Sequence, residues 1–138
     1  MDKLDGTSVL ELSDEESREF FERWARVRNR VNAVLVGAVK DVAERAIPAR
    51  DGLRVEQWVA HRSRCSKPEA ARLVRAARHV GGLPYAAEAF RVGEIGAGAV
   101  DVLVRQCTRR REAALREADE TLTGYAKRLS VTELARVV

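Results

Sequence analysis

The side chains in this sequence whose types and spacing could do chemistry are cations. Arg62, Arg64 and Lys67 bracket a short break between two helix-forming stretches, and Arg72, Arg75 and Arg78 recur every third residue just beyond it. At about 100° per residue, Arg72, Arg75, Arg78 and His79 share one arc of a helix running from Ser66 to Val80. Ala70, Leu73, Val74, Ala77 and Val80 share the opposite arc. A fan of guanidinium and ammonium donors is phosphate-binding chemistry. The second helix of a helix-turn-helix needs this division, one face buried and one basic face at phosphate or base-edge distance. The bland alternative is an ordinary amphipathic helix with a solvated face. Only Lys3, Lys40, Lys67 and Lys127 are lysines among 25 basic residues, so arginine is also this chain's default cation.

Charge is distributed unevenly. Residues 50–82 hold 8 basic and 3 acidic side chains, a net +5, against −2 for residues 1–49 and +1 for residues 83–138. A local excess of this kind points to a polyanionic partner more directly than the overall +4 does. A second basic run, Arg109-Arg110-Arg111, is surrounded by Glu112, Glu117, Asp119 and Glu120, and reads first as a solvated helix junction.

Catalytic chemistry finds little support. There is no Gly-rich phosphate loop and no nucleophile elbow, and the carboxylates fall singly on helical surfaces. His61 and His79 stand eighteen residues apart without a thiol or carboxylate cluster, so no catalytic residue, metal site or cofactor is expected. Cys65 and Cys107 show no metal-ligand spacing and are expected as free thiols in a reducing cytoplasm. No secretory leader opens the chain, and the longest apolar run is Ala33 to Val36, far below a membrane span. A soluble, cytoplasmic protein without a small-molecule ligand is expected.

The elements that must position the cations are all helical. At 138 residues the chain is one domain, with residues 1–12 expected to be a disordered arm and 13–138 a single helical unit. Ser13 with Glu16 forms a capping box for a helix of about thirty residues that ends near Ala46, before Ile47-Pro48. Phe20, Trp24, Val27, Val31, Val34, Ala38 and Val42 line one stripe of it, expected to face the core; the same spacing suits a coiled coil, with Phe20, Trp24, Val27 and Val31 as possible dimer contacts. Ala49 to Gly52 reads as a turn. Leu53, Trp58 and Val59 should be the buried side of a helix from Val55 to Arg62. Ser66 and Glu69 then cap the basic helix, which should end in a left-handed turn at Gly81-Gly82. The two helices form a helix-turn-helix-like pair over residues 53–80.

Downstream, Pro84 opens a short helix ended by Gly93, and another spans about Ala97 to Thr108 with Val100, Leu103, Val104 and Cys107 in its seam. A weaker helix from Ala113 to Leu129 should be interrupted near Thr123-Gly124. Ser130 and Glu133 cap a last one, and Val138 lies barely two turns into it, as though it continued in a longer parent. No segment alternates apolar and polar residues long enough for a sheet. The fold class expected is an all-α bundle of six to seven helices, the first of them longest.

The order W-x3-R-x-R-C-S-x2-E-A-x2-L-V-x2-A from Trp58 to Ala77, then L-P-x4-A-F-x2-G-E-I from Leu83 to Ile95, then L-S-x2-E-L from Leu129 to Leu134, resembles the 13E12 repeat family, also called domain of unknown function 222, of actinobacteria and their phages. That resemblance spans roughly residues 13–138 and implies a domain that commonly precedes an HNH nuclease motif. Gly96 and Ala99 depart from it, standing where members often carry a Ser or Thr cap and a Gln or His. The HNH motif itself, which needs histidine and asparagine in a ββα unit, is not found. No histidine follows His79, and Asn29 and Asn32 are the only asparagines. The function expected is therefore a non-catalytic DNA-positioning module of an HNH endonuclease-like protein, with Arg62, Arg64, Lys67, Arg72, Arg75 and Arg78 as phosphate contacts. The alternative is a protein-interaction module that dimerises through the first helix and has no nucleic-acid role.

Overall fold

The computed structural model describes residues 11–138, and most of the arm expected at 1–12 lies outside them. Among the described residues the chain is all-α: α1 (Asp14–Glu44), α2 (Ile47–Arg50), α3 (Val55–Ser63), α4 (Lys67–His79), α5 (Pro84–Arg91), α6 (Ala97–Val104), α7 (Glu112–Ala126) and α8 (Val131–Val137). An all-α bundle led by one long helix is what the periodicity implies. The described residues form eight helices rather than six or seven, because residues 47–50 close a short helix that runs into the turn read at Ala49 to Gly52. None of them is long and apolar enough to cross a membrane.

Local chemistry accounts for the ends. Ser13 Oγ accepts from the Glu16 amide at 3.2 Å, and the Glu16 carboxylate accepts from the Ser13 amide at 3.3 Å, completing the capping box of α1. α1 stops where Ala46 turns left-handed at φ 56° and Pro48 follows. Ser130 and Glu133 form the same reciprocal box on α8. On α4 only half of the box forms, Ser66 Oγ accepting from the Glu69 amide at 3.2 Å. The helix does not end in a left-handed glycine: Val80–Gly82 is a 3-10 turn, and the positive-φ glycines are Gly52 and Gly93. α7 runs unbroken through Thr123-Gly124, because Thr123 is buried and its hydroxyl donates to the Asp119 carboxylate at 3.2 Å.

α4 takes the centre, with α1, α3 and α6 packed against it. Ala70, Leu73, Val74 and Ala76 of α4 join Val100, Leu103 and Val104 of α6, Phe90 of α5, Leu115 of α7 and Leu134 of α8 in one core. The apolar stripe of α1 does not join it. Val36 and Val39 are the buried residues of α1, whereas Trp24, Val31 and Val34 of the stripe are exposed. The cause is close backbone approach. Asn29 Nδ2 donates to the Gly93 carbonyl at 3.2 Å, and a Cβ on Gly93 would stand 2.7 Å from Arg26 Cγ and 2.8 Å from Arg30 Cγ. α1 thus lies on the body through Arg26, Asn29, Arg30 and Val36, an arc roughly opposite the stripe. Leu53, expected to be buried, is exposed, and Trp58 is half-buried with Nε1 donating to Asp51 at 2.8 Å.

Candidate nucleic-acid interface

The helix-turn-helix-like pair exists as α3 and α4, joined through Arg64 at φ 57°, Cys65 and Ser66. A non-glycine residue in the left-handed region carries a strain of about 1 kcal/mol, and here it aims the basic helix away from α3. The six candidate cations divide into two sets of three by what they touch.

Arg62, Arg75 and Arg78 are paired with carboxylates, Arg75 half-buried and Arg62 and Arg78 on the surface. The Arg62 guanidinium lies 5.4 Å from the Trp58 ring and 3.7 Å from Asp51 Oδ2. Arg78 reaches back from α4 to Glu56 of α3 at 3.3 Å. Arg75 joins α4 to α6 by donating to Asp101, a carboxylate only 10% exposed, which also accepts from Arg105 Nε at 2.8 Å. A buried carboxylate gripped by two guanidiniums on different helices is an architectural tie.

Arg64, Lys67 and Arg72 are different. All three are exposed, and no acidic side chain among the described residues lies within salt-bridge distance of any of them. Arg64 and Lys67 flank the turn between the helices. Arg72, further along α4, stands at the rim of a groove of about 900 Å³ that runs between α1, α4, α6 and α8, with Arg28 and Arg105 also on its lining.

Two cations outside the six candidates join this surface. Arg105 lines a hollow of about 630 Å³ together with Arg75, Arg78 and His79, and Arg109 lines the adjoining hollow of about 320 Å³ with Arg78 and His79. The fold therefore carries Arg109, from the run read as a solvated junction, onto the side of α4. Helical periodicity within one element could not signal this, because more than twenty-five residues separate the partners. Cys107 lines both hollows as a free thiol. Burial, and secondarily the charge of Glu112, pushes its pKa up, so it ionises less readily than an ordinary thiol. Among the described residues no three His, Cys, Asp or Glu side chains group as a metal site.

The possible interface residues of α1 stand apart from this cationic surface in kind. Phe20 and Val27 are half-buried, Trp24 and Val31 are exposed, and Phe20 packs on Trp24 with ring centroids 6.3 Å apart.

Bundle and cationic surface together define a helical domain whose α3–α4 pair resembles a helix-turn-helix in order but is enclosed by α1 and α6. Residues 18–138 match the family described as a domain of unknown function, DUF222, and the chain belongs to that family. No curated protein and no solved structure matches it.

Proposed function

We propose that this chain is a non-catalytic helical module that positions duplex DNA for an HNH endonuclease-like protein of the cytoplasm. The observation that carries the proposal is the set Arg64, Lys67 and Arg72, exposed cations without acidic partners among the described residues, in the most basic third of the chain. Cations already neutralised by carboxylates gain less from a phosphate than unpaired ones, so these three are the principal contacts and Arg62, Arg75 and Arg78 hold the surface in shape. The bordering helices keep α4 from lying deep in a major groove, which favours backbone contacts over base readout.

Fluorescence anisotropy of a labelled duplex across a range of salt concentrations tests this. Three phosphate contacts give a slope of log affinity against log salt of about −2.7, while six give about −5.4. Arg64→Gln and Arg72→Gln should each reduce the slope by about one unit. Absence of binding at 50 mM salt, or an unchanged slope in the Arg64→Gln/Lys67→Gln/Arg72→Gln variant, refutes it.

A further inference from the structure

α1 carries a second recognition surface. Phe20, Trp24, Val27, Val31, Val34 and Ala38 follow one another at alternating steps of four and three, the seam of a two-stranded coiled coil. No described element covers that seam. On it Trp24 is 42%, Val31 58% and Val34 74% exposed, and Phe21, 73% exposed, flanks it, together on the order of 400 Å² of apolar surface. That is at the upper end of what a monomer leaves uncovered, and about half of one partner's share of a standard interface.

Charge identifies the occupant. Residues 14–22 hold five acids (Asp14, Glu15, Glu16, Glu19 and Glu22) and one base, Arg18, whereas residues 23–30 hold Arg23, Arg26, Arg28 and Arg30 and no acid. Two adjacent blocks of opposite sign on one helix are self-complementary only when a second copy runs antiparallel. We propose that the N-terminal half of α1 pairs with the same segment of a second copy of this chain, antiparallel and centred on Glu22.

In that alignment Phe20 meets Trp24 of the second copy, the two Phe21 rings face each other, Arg28 lies opposite Asp14 and Arg30 opposite Glu16. The antiparallel pair opposes like charges at Arg23 against Arg23, whereas a parallel pair would set Arg23 beside Arg28 and lay acidic block on acidic block along the whole overlap. The overlap spans residues 14–30, about 25 Å of helix, and so covers Phe20, Phe21, Trp24 and Val27 and leaves Val31 and Val34 beyond its edge. The body is anchored on the other side of α1 through Arg26 and Asn29, with only the stem of Arg30 against Gly93, so the two bodies extend toward opposite ends of the paired segment. The pairing does not depend on DNA binding.

Sedimentation equilibrium from 1 to 200 µM at 50 mM salt is the first test, with the average mass expected to rise from 15.4 kDa toward about twice that. Phe21→Glu/Trp24→Glu should stay monomeric with an unchanged circular dichroism spectrum, since both side chains point away from the core. Charge exchange then tests the direction. Arg28→Glu/Arg30→Glu and Asp14→Lys/Glu16→Lys should each be monomeric alone, and a 1:1 mixture should restore the dimer mass. A wild-type chain monomeric at 200 µM, a Phe21→Glu/Trp24→Glu variant that still dimerises, or a mixture that restores nothing overturns the antiparallel pairing.

Discussion

Replacing Asp101 by Asn separates structural arginines from phosphate-contacting ones. The Asp101 side chain is 10% exposed and accepts from Arg75 and Arg105, whose side chains are 31% and 58% exposed. Removing one member of a fully buried pair costs about 3–5 kcal/mol, because the other charge is left without a partner. Here water reaches both guanidiniums and offsets part of that loss, so the expected cost is about 2–3 kcal/mol. In a domain of this size that lowers Tm by roughly 10 °C. Urea denaturation followed at 222 nm measures it directly. A double-mutant cycle with Arg75→Met should give a coupling of about 1–2 kcal/mol, since part of each single loss is the same contact. A cost below about 0.5 kcal/mol, or strictly additive losses, would refute the tie between α4 and α6. In that event Arg75 returns to the phosphate-contact set, and Arg75→Met should lower the DNA salt slope by about one unit.

Asp119→Ala removes the carboxylate that accepts from the Tyr85 and Ala86 amides at 2.8 and 3.1 Å and from the Thr123 hydroxyl. The expected loss is about 2–3 kcal/mol, with amide exchange accelerating first in α5. Gly93→Ala should cost at least about 2 kcal/mol, because the backbone there is at φ 85° and the added methyl would collide with Arg26 and Arg30; hydrogen exchange should show α1 loosened from the body. Cys107, its pKa raised by burial and then by Glu112, should stay protonated at pH 8 in the folded state and react with iodoacetamide several-fold more slowly than a small free thiol. Raising the pH through the elevated pKa should recover the rate, and urea should recover it at pH 8.

The capping boxes at Ser13 and Ser130 were legible because they are built within four residues, and the helical class because every segment has a 3.6-residue period. What escaped was set by contacts distant in sequence. Asp119 reads as one more surface acid until α7 brings it against the start of α5, and Thr123-Gly124 reads as a breaker until Thr123 finds Asp119. The basic arc of α4 was legible as an arc. That three of the six candidate cations would be claimed by Asp51, Glu56 and Asp101 was not, since two of those acids lie on other helices and Asp51 lies in the loop before α3. Arg105 and Arg109 reach the α4 surface only through the packing of α6.

The case of α1 has a more general cause. Periodicity identifies residues that share an arc of a helix, but it does not say which arc a neighbour will cover. A helix docks where the facing surface lets its backbone come close, and on α1 that arc brings Arg26, Asn29 and Arg30 against Gly93 and Gly96, ahead of Val36 and Val39. The more apolar arc is left outside. Exposing Phe21, Trp24, Val31 and Val34 costs roughly 25 cal/mol for each Å² left in water, on the order of 10 kcal/mol for that surface. A second copy would recover part of this, offset by the cost of association and by holding the helix ends rigid. Salt distinguishes this pairing from DNA contact. Added salt weakens both, but the dimer keeps an apolar seam that ions do not screen. In 0.5 M salt, DNA binding through three cations should fall by more than two orders of magnitude from its value at 50 mM, while self-association falls far less. If the two decline together, the seam contributes little and charge alone holds the copies.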